Sequence, residues 1–226
     1  MNSVSANLNT VHLITVQHLP VIPFSEAPMT SSTSTPTSTR RTSSTTDLAL
    51  VTTFAAFIAV CAILPNLGTT GGGVPFTLQM FGIFLAASVL GARRGTLAVL
   101  LYLAVATAGV PVWSGGTGGP SAWTSASGGY IVAFPIAAFI VGLVASLAAR
   151  RNSTIFAVAV SVAAAAVTVG VTGLIGAIGM SIKLNVDFGV AWGYATPFFF
   201  FDIVKGVVAA IVAAAVLRAF PQLIKL

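Results

Sequence analysis

Long apolar runs alternate with short polar or glycine-rich connectors along most of the chain. From residue 47 onward there are six apolar runs of roughly 18–25 residues, each long enough to cross a bilayer as a helix. The predicted spans are residues 47–65, 74–91, 96–112, 128–149, 154–180 and 193–219. Because a helix satisfies its backbone hydrogen bonds internally, the pattern predicts an all-α integral membrane protein with six transmembrane helices.

Residues 1–46 depart from this pattern and are interpreted as a separate region. Residues 11–24 are moderately apolar, but Pro20 and Pro23 interrupt a stretch that is too short to span. Residues 30–46 are almost entirely Ser and Thr, so they bury too little apolar area to offset the entropy of ordering. We therefore predict a flexible, cytoplasmic N-terminal tail (residues 1–46) followed by a membrane domain (residues 47–226).

Composition excludes a soluble globular domain. The chain is 56% hydrophobic and 6% charged, whereas soluble domains carry about 25% charged residues. Its formal net charge of +6 does not indicate a nucleic-acid partner, because the basic residues flank apolar runs instead of forming one basic face. Both histidines, His12 and His18, lie in the tail, so the spans lack the imidazole of most Ser-His, Cys-His and histidine–metal sites. We therefore expect neither an enzyme nor a metal or cofactor site.

Most basic residues fall on one side of the membrane if the six spans alternate in direction. They are Arg40, Arg41, Arg93, Arg94, Arg150, Arg151, Arg218 and Lys225. By the positive-inside rule this side is cytoplasmic, and both termini lie there. The three tryptophans then belong to outer segments, where they are interpreted first as an interfacial belt and second as ligand contacts.

Asp202 and Lys205 form an opposite-charge pair inside the sixth predicted span. They stand three residues apart, so a helix places them on one face on adjacent turns. An ionised group at bilayer depth costs about 3 kcal/mol or more, which favours a functional role. The alternatives are a self-neutralising pair that fixes helix packing and a polar site for a solute that crosses the membrane. We favour the solute site.

Other polar groups gather in the same, outer half of the predicted membrane domain. Gln79 lies about one turn into the second span, and a charge-free Gly, Ser and Thr segment (residues 113–127) precedes Gly128, Gly129 and Tyr130 at the start of the fourth. That distribution predicts a pocket open to the outside and closed beneath by apolar side chains, because a channel would need polar lining along its whole length. The segment 113–127 is interpreted either as part of the site or as a plain connector.

The first span carries small residues at a spacing that permits close helix packing. Ala55 and Ala59 are four residues apart, which lets another helix backbone approach. Packing within the chain and docking to another subunit both remain open from this pattern.

Five segments, in this order, resemble the BioY family of biotin-binding substrate-specificity (S) subunits of energy-coupling factor transporters. They are VPFTLQ at 74–79, LGARRG at 90–95, GVPVW at 109–113, GGY at 128–130 and PFFFFDIVK at 197–205. The chain departs from the family pattern at Ser125-Ala126-Ser127, where the family has Gly-Pro-Thr, and at Phe200-Phe201, where it has Pro-Gly.

The resemblance implies a six-helix S subunit in a bacterial plasma membrane that captures biotin from outside. It implies two kinds of partner, a transmembrane coupling (T) subunit and two cytoplasmic ATPases, which would use the ATP. This agrees with the lack of a G-x-x-x-x-G-K-[ST] phosphate loop in the chain. In the family the small-residue face of the first helix contacts the T subunit, which favours Ala55 and Ala59 as docking residues.

Biotin offers groups that the candidate residues are suited to bind. Asp202 is suited to accept from its ureido N–H groups, and Lys205 to donate to the ureido carbonyl or the tail carboxylate. Gln79, Gly128, Gly129 and Tyr130 are candidates for the remaining polar contacts. The alternative functions are a self-sufficient, proton-coupled secondary transporter, an S component for a different vitamin, and a purely structural membrane protein.

Overall fold

The computed structural model describes residues 42–66 and 68–223, and almost all of the predicted tail lies outside them. Six helices follow one another: α1 Thr42–Ile63, α2 Gln79–Thr107, α3 Gly128–Ala148, α4 Ser153–Val167, α5 Leu174–Leu184 and α6 Phe188–Ala219. A π-helical turn, Thr168–Gly173, makes α4 and α5 one continuous rod, and a short 3₁₀ helix, Pro120–Thr124, lies in the segment before α3. α1 and α6 both begin about five residues earlier than the sequence pattern predicts.

Five helical segments of the described chain are long and apolar enough to cross a membrane. They are Thr45–Ile63, Gln79–Thr107, Gly128–Ala148, Ser153–Leu184 and Phe188–Ala219. The all-α membrane architecture expected from the sequence is therefore confirmed. Residues 96–107 of the expected third span (96–112) lie in the second arm of α2, beyond a break in helical geometry at Gly91, and residues 108–112 follow that arm.

Helix α2 folds back on itself at Gly91. This residue has φ 78° and ψ −177°, a conformation in the left-handed half of φ space that favours glycine. Gln79 and Tyr102, 23 residues apart, touch through their side chains at 3.2 Å, whereas a straight helix would separate them by about 35 Å. The two arms, 79–90 and 92–107, are consequently antiparallel. At the bend a Cβ atom on Gly95 would come within 2.7 Å of the Cα of Ala87, so only glycine permits this approach.

The helices pack through small residues, as expected where lipid supplies no hydrophobic force to drive association. Gly142 of α3 lies against the backbone of Ala92 at the bend, and Gly82 of α2 lies against Ile58 and Cys61 of α1. Fully buried alanines continue these contacts through α2, α3 and α6. In the core of the resulting bundle, the backbones of neighbouring helices lie close together.

A buried arginine ties three segments together at the bend of α2. Arg94 Nε lies 3.0 Å from Asp47 Oδ1 near the start of α1, and its guanidinium also donates to the carbonyl of Leu223 beyond the end of α6, at 3.0 Å. We call the Asp47–Arg94 contact the bend pair. From the sequence alone Arg94 was expected only to flank a span, because its two partners are distant along the chain.

Candidate substrate-binding site

A cavity of about 420 Å³ lies at the end of the bundle remote from the bend of α2. Its lining combines a helical floor with the segments that precede α2 and α3. The lining residues are Val74, Pro75, Thr77, Gln79, Met80, Trp113, Ser114, Thr117, Ser121, Ala122, Ser125, Ser127, Tyr130, Ile131, Phe134, Phe198, Asp202 and Lys205. A volume of this size lies within the range of small-molecule sites, which is about 300–1,000 Å³.

Asp202 and Lys205 of α6 both line this cavity and bond to each other. Lys205 Nζ donates to Asp202 Oδ1 at 2.7 Å, and the two side chains are 11% and 9% exposed. We call this contact the cavity pair. The helical spacing predicted that these side chains share one face, and the structure brings them together. They are the only charged residues among the described residues that line the cavity.

The stretch of α6 before Asp202 contains a proline that the helix accommodates locally. Pro197 has no N–H to donate to the carbonyl of Gly193, one turn earlier. Thr196 Oγ1 donates to that carbonyl instead, at 2.8 Å. The helix thereby continues into the segment that carries the cavity pair.

An aromatic cluster forms one side of the cavity. The ring of Phe198 lies 4.6 Å from that of Phe76 and 5.5 Å from that of Tyr130, measured between centroids. Phe198 is buried and lines the cavity, whereas Phe200 on the opposite side of α6 is 69% exposed. The phenylalanine run therefore divides between the cavity and the outer surface of the bundle.

Gln79 begins α2, lines the cavity and is held from behind by Tyr102. Gln79 Nε2 donates to Tyr102 Oη at 3.2 Å, and Tyr102 Oη donates to the carbonyl of Val112 at 3.1 Å. Tyr102 is 1% exposed and packs edge-on against Trp113, with ring centroids 5.6 Å apart. No pattern in the sequence pointed to Tyr102, because only the folding back of α2 brings it to Gln79.

The structure separates Tyr130 from the two glycines that precede it. Tyr130 lines the cavity, and its buried Oη has no hydrogen-bond partner within the described part of the chain. Gly128 and Gly129 do not line the cavity. A Cβ atom on Gly128 would lie 2.2 Å from the carbonyl oxygen of Trp123, and one on Gly129 would lie 2.4 Å from that of Ile175. Both glycines thus permit close backbone packing.

The segment 108–127 folds over the cavity and is held by several hydrogen bonds. Trp113 Nε1 donates to the Gly119 carbonyl at 3.0 Å, and the Trp113 N–H donates to the Thr117 carbonyl at 2.8 Å. Hydroxyl side chains of this segment line the cavity, which gives its wall neutral donors and acceptors: Ser114, Thr117, Ser121, Ser125 and Ser127. Trp113 also lines the cavity, whereas Trp123 and Trp192 do not.

The two alanines proposed for docking lie on α1, away from the cavity lining. Ala55 is buried within the chain, and Ala59 is partly buried and packs against the same core. The structure thus shows packing within the chain at Ala55.

The fold and the cavity together define the class: a membrane-embedded solute-binding protein whose site is built from helix ends and one covering segment. Comparison of the sequence with known protein families agrees with this class. The BioY family model matches residues 29–222, and the chain belongs to that family.

The sequence similarity to individual relatives extends over most of their length. The chain is 34% identical to the biotin transporter BioY of Rhizobium etli over 182 residues, which is 80% of this chain and 97% of the relative. It is 38% identical to the biotin transporter BioY of Thermotoga maritima over 147 residues, 63% of this chain and 80% of the relative. A solved structure, the S-component for biotin from an ECF-type ABC transporter, aligns with a TM-score of 0.70 and 25% identity. It covers 79% of this chain and 94% of that one.

Proposed function

We propose that this chain mediates biotin uptake as the membrane-embedded S component of an energy-coupling factor transporter. It is a transport protein and not an enzyme, as its membership of the BioY family indicates. The observation that carries the proposal is the cavity pair: two oppositely charged, buried side chains that line one cavity of ligand size. An ion pair at this depth is costly to retain, and a ligand that uses both charges explains its position.

The lining complements the chemistry of biotin group by group. The ureido ring has two N–H donors and one carbonyl acceptor, for which Asp202 and Lys205 supply an acceptor and a donor. The thiophane ring is apolar, and Phe198 and Phe134 provide an apolar surface beside the pair. Gln79 and the row of hydroxyls remain for the other polar contacts of the ligand.

Tyr130 adds a further candidate contact. A buried hydroxyl without a partner costs about 1–3 kcal/mol, so it is expected to find one when the site is filled. A ligand polar group in the cavity would be that partner. Among the candidate residues taken from the sequence, Asp202, Lys205, Gln79 and Tyr130 are therefore assigned to the ligand. Gly128 and Gly129 shape the backbone around it.

The proposed topology has six crossings, with both termini in the cytoplasm of a bacterial cell. The two antiparallel arms of α2 supply the second and third crossings, which adds one to the five long helices. The bend with Arg93 and Arg94 then lies inside, with the connection at Arg150 and Arg151. The cavity opens to the outside, where biotin arrives.

The proposal includes a T subunit and two cytoplasmic ATPases as partners. The chain lacks a phosphate-loop motif, so ATP hydrolysis that drives uptake has to come from such subunits. Docking is assigned to the small-residue surface of α1 around Ala59. Ala55 contributes by bringing α1 close to α2, since it is buried.

Isothermal titration of the purified protein in detergent tests the substrate. We expect biotin to bind with sub-micromolar or tighter affinity in the absence of ATP. Lipoate, thiamine and riboflavin serve as controls and should release no heat of binding. Clear binding of another vitamin and none of biotin would reject the substrate while leaving the fold and the site in place.

Cysteine labelling tests the six-crossing topology. Cys61 is the sole cysteine of the chain and is buried, so a Cys61→Ala background is suitable. A membrane-impermeant maleimide should label Thr124→Cys in intact cells, but Arg93→Cys and Arg150→Cys only after permeabilisation. Labelling of Arg93→Cys in intact cells would show that α2 re-emerges on the outer side without crossing.

Co-purification tests the docking surface. Ala59→Leu should reduce recovery of the T subunit and ATPases while leaving biotin affinity unchanged. Ala166→Leu makes the same change at an exposed position of α4 and is the matched control. Equal recovery with both variants would place the docking surface elsewhere.

A further inference from the structure

Tyr102 lies directly behind two cavity-lining residues without lining the cavity itself. Its hydroxyl contacts the Gln79 amide and its ring contacts Trp113. Because it is 1% exposed, water does not compete for its hydrogen bonds. Its position makes it suited to control the orientation of a neighbour that meets the ligand.

The direction of each hydrogen bond follows from the chemistry of the groups. The Val112 carbonyl can only accept, so the single proton of the Tyr102 hydroxyl is used there. Tyr102 Oη then has only lone pairs left for Gln79, and the group that faces it must be the amide nitrogen. Gln79 Oε1 is thereby turned away from Tyr102, and it accepts no hydrogen bond from the described residues.

We propose that Tyr102 is a positioning residue that makes Gln79 present its carbonyl oxygen to the ligand, so that the site offers a second acceptor for N–H groups beside Asp202. Because it takes the ligand to carry the ureido ring of biotin, this inference rests on the proposed function. Two acceptors and one donor, Lys205, match the two N–H groups and one carbonyl of a cyclic urea. We call the hydrogen bonds that link Val112, Tyr102 and Gln79 the relay. The relay therefore makes the site selective for an unsubstituted ureido ring.

A double-mutant cycle on the full-length protein tests this role. Tyr102→Phe keeps the ring and its contact with Trp113 but removes the relay, so biotin should bind on the order of tenfold more weakly. Gln79→Met should bind at least as weakly, and adding Tyr102→Phe to Gln79→Met should cause no further loss. An effect of Tyr102→Phe that persists undiminished beside Gln79→Met would overturn the inference, because Tyr102 would then act through Trp113 or the covering segment.

The relative affinities of ligand analogues distinguish a positioning role of Tyr102 from a purely structural one. Wild-type protein should discriminate strongly between biotin and N-methylated biotin, and the Gln79→Met and Tyr102→Phe variants should lose a large part of that discrimination. Desthiobiotin keeps the ureido ring, so its affinity should fall in parallel with that of biotin. Should Tyr102→Phe not yield folded protein, unchanged discrimination in Gln79→Met would still overturn the inference.

Thr107→Val is the matched control. It removes a different hydrogen bond between α2 and the covering segment, the one that Trp123 Nε1 donates to Thr107 Oγ1 at 2.9 Å. Its biotin affinity should stay within about twofold of wild type, and a tenfold loss would overturn the assignment to Gln79. If wild-type protein binds no biotin at all, the proposed function fails. If it binds and Tyr102→Phe binds equally well, this inference alone fails.

Discussion

The two ends of this bundle each contain an ion pair, and the pairs are built differently. The cavity pair joins residues three apart on one helix, Asp202 and Lys205, and both side chains are about one-tenth exposed. The bend pair joins Asp47 of α1 to Arg94 of α2, and Arg94 also bonds to Leu223. One pair is local and faces a cavity, whereas the other connects three segments of the chain.

That difference separates a functional charge pair from a structural one. A pair within one helical turn adds no constraint between elements, so its desolvation cost is not repaid by tertiary stability. A pair that crosses between segments restrains them relative to one another, and Arg94 also donates to the backbone carbonyl of Leu223, beyond the end of α6. We therefore expect variants of the cavity pair to change ligand affinity and variants of the bend pair to change stability.

The largest effect is expected from Asp202→Ala. Removing the buried acceptor should weaken biotin binding by more than a hundredfold, because a charged partner in a dry site contributes about 2–5 kcal/mol. The protein should stay monodisperse, since Lys205 lines the cavity and its ammonium can reach water there. Titration calorimetry measures the affinity, and retained binding would mean that the ligand lies elsewhere.

Replacing both charges by apolar residues tests whether the cavity pair serves ligand binding or helix packing. Asp202→Leu combined with Lys205→Met should abolish biotin binding while leaving thermal stability unchanged or slightly raised, because apolar replacement of a buried pair is often neutral or stabilising. Thermal unfolding in detergent measures this. A marked loss of stability would show that the pair serves helix packing and would remove the contrast with the bend pair.

Arg94→Gln should show the opposite pattern. Loss of its contacts with Asp47 and Leu223 is expected to destabilise the protein by about 1–3 kcal/mol, with part of the effect screened because Asp47 is 39% exposed. Biotin affinity should not change. Arg93→Gln removes a neighbouring, exposed charge and is the control. Equal unfolding temperatures for the two variants would contradict a structural role for Arg94.

Among the variants of cavity-lining residues, Tyr130→Phe is expected to have the smallest effect on binding. It removes only the hydroxyl that lacks a partner, so affinity should fall about threefold to tenfold if the ligand bonds to it. Stability should stay the same or rise, because a buried unsatisfied group is deleted. Unchanged affinity would remove Tyr130 from the set of ligand contacts and leave Asp202, Lys205 and Gln79.

The sequence predicted those features that depend on local spacing. Apolar runs of membrane length predicted the helices, and the three-residue interval predicted that Asp202 meets Lys205. Five motifs in order led to the BioY family, to which the chain belongs. Each of these follows from helix geometry or from residues read in series, so no knowledge of distant contacts was needed.

Only the tertiary structure decided which polar groups meet across long separations. Gln79 and Tyr102 are 23 residues apart, and Arg94 and Leu223 are 129 apart. The first contact exists because Gly91 interrupts the helical geometry of α2 and reverses the direction of the chain, so that the two arms lie side by side. The same packing directs Gly128 and Gly129 to helix contacts and Tyr130 to the cavity. Composition and periodicity describe one chain segment at a time, whereas these contacts depend on how segments cross.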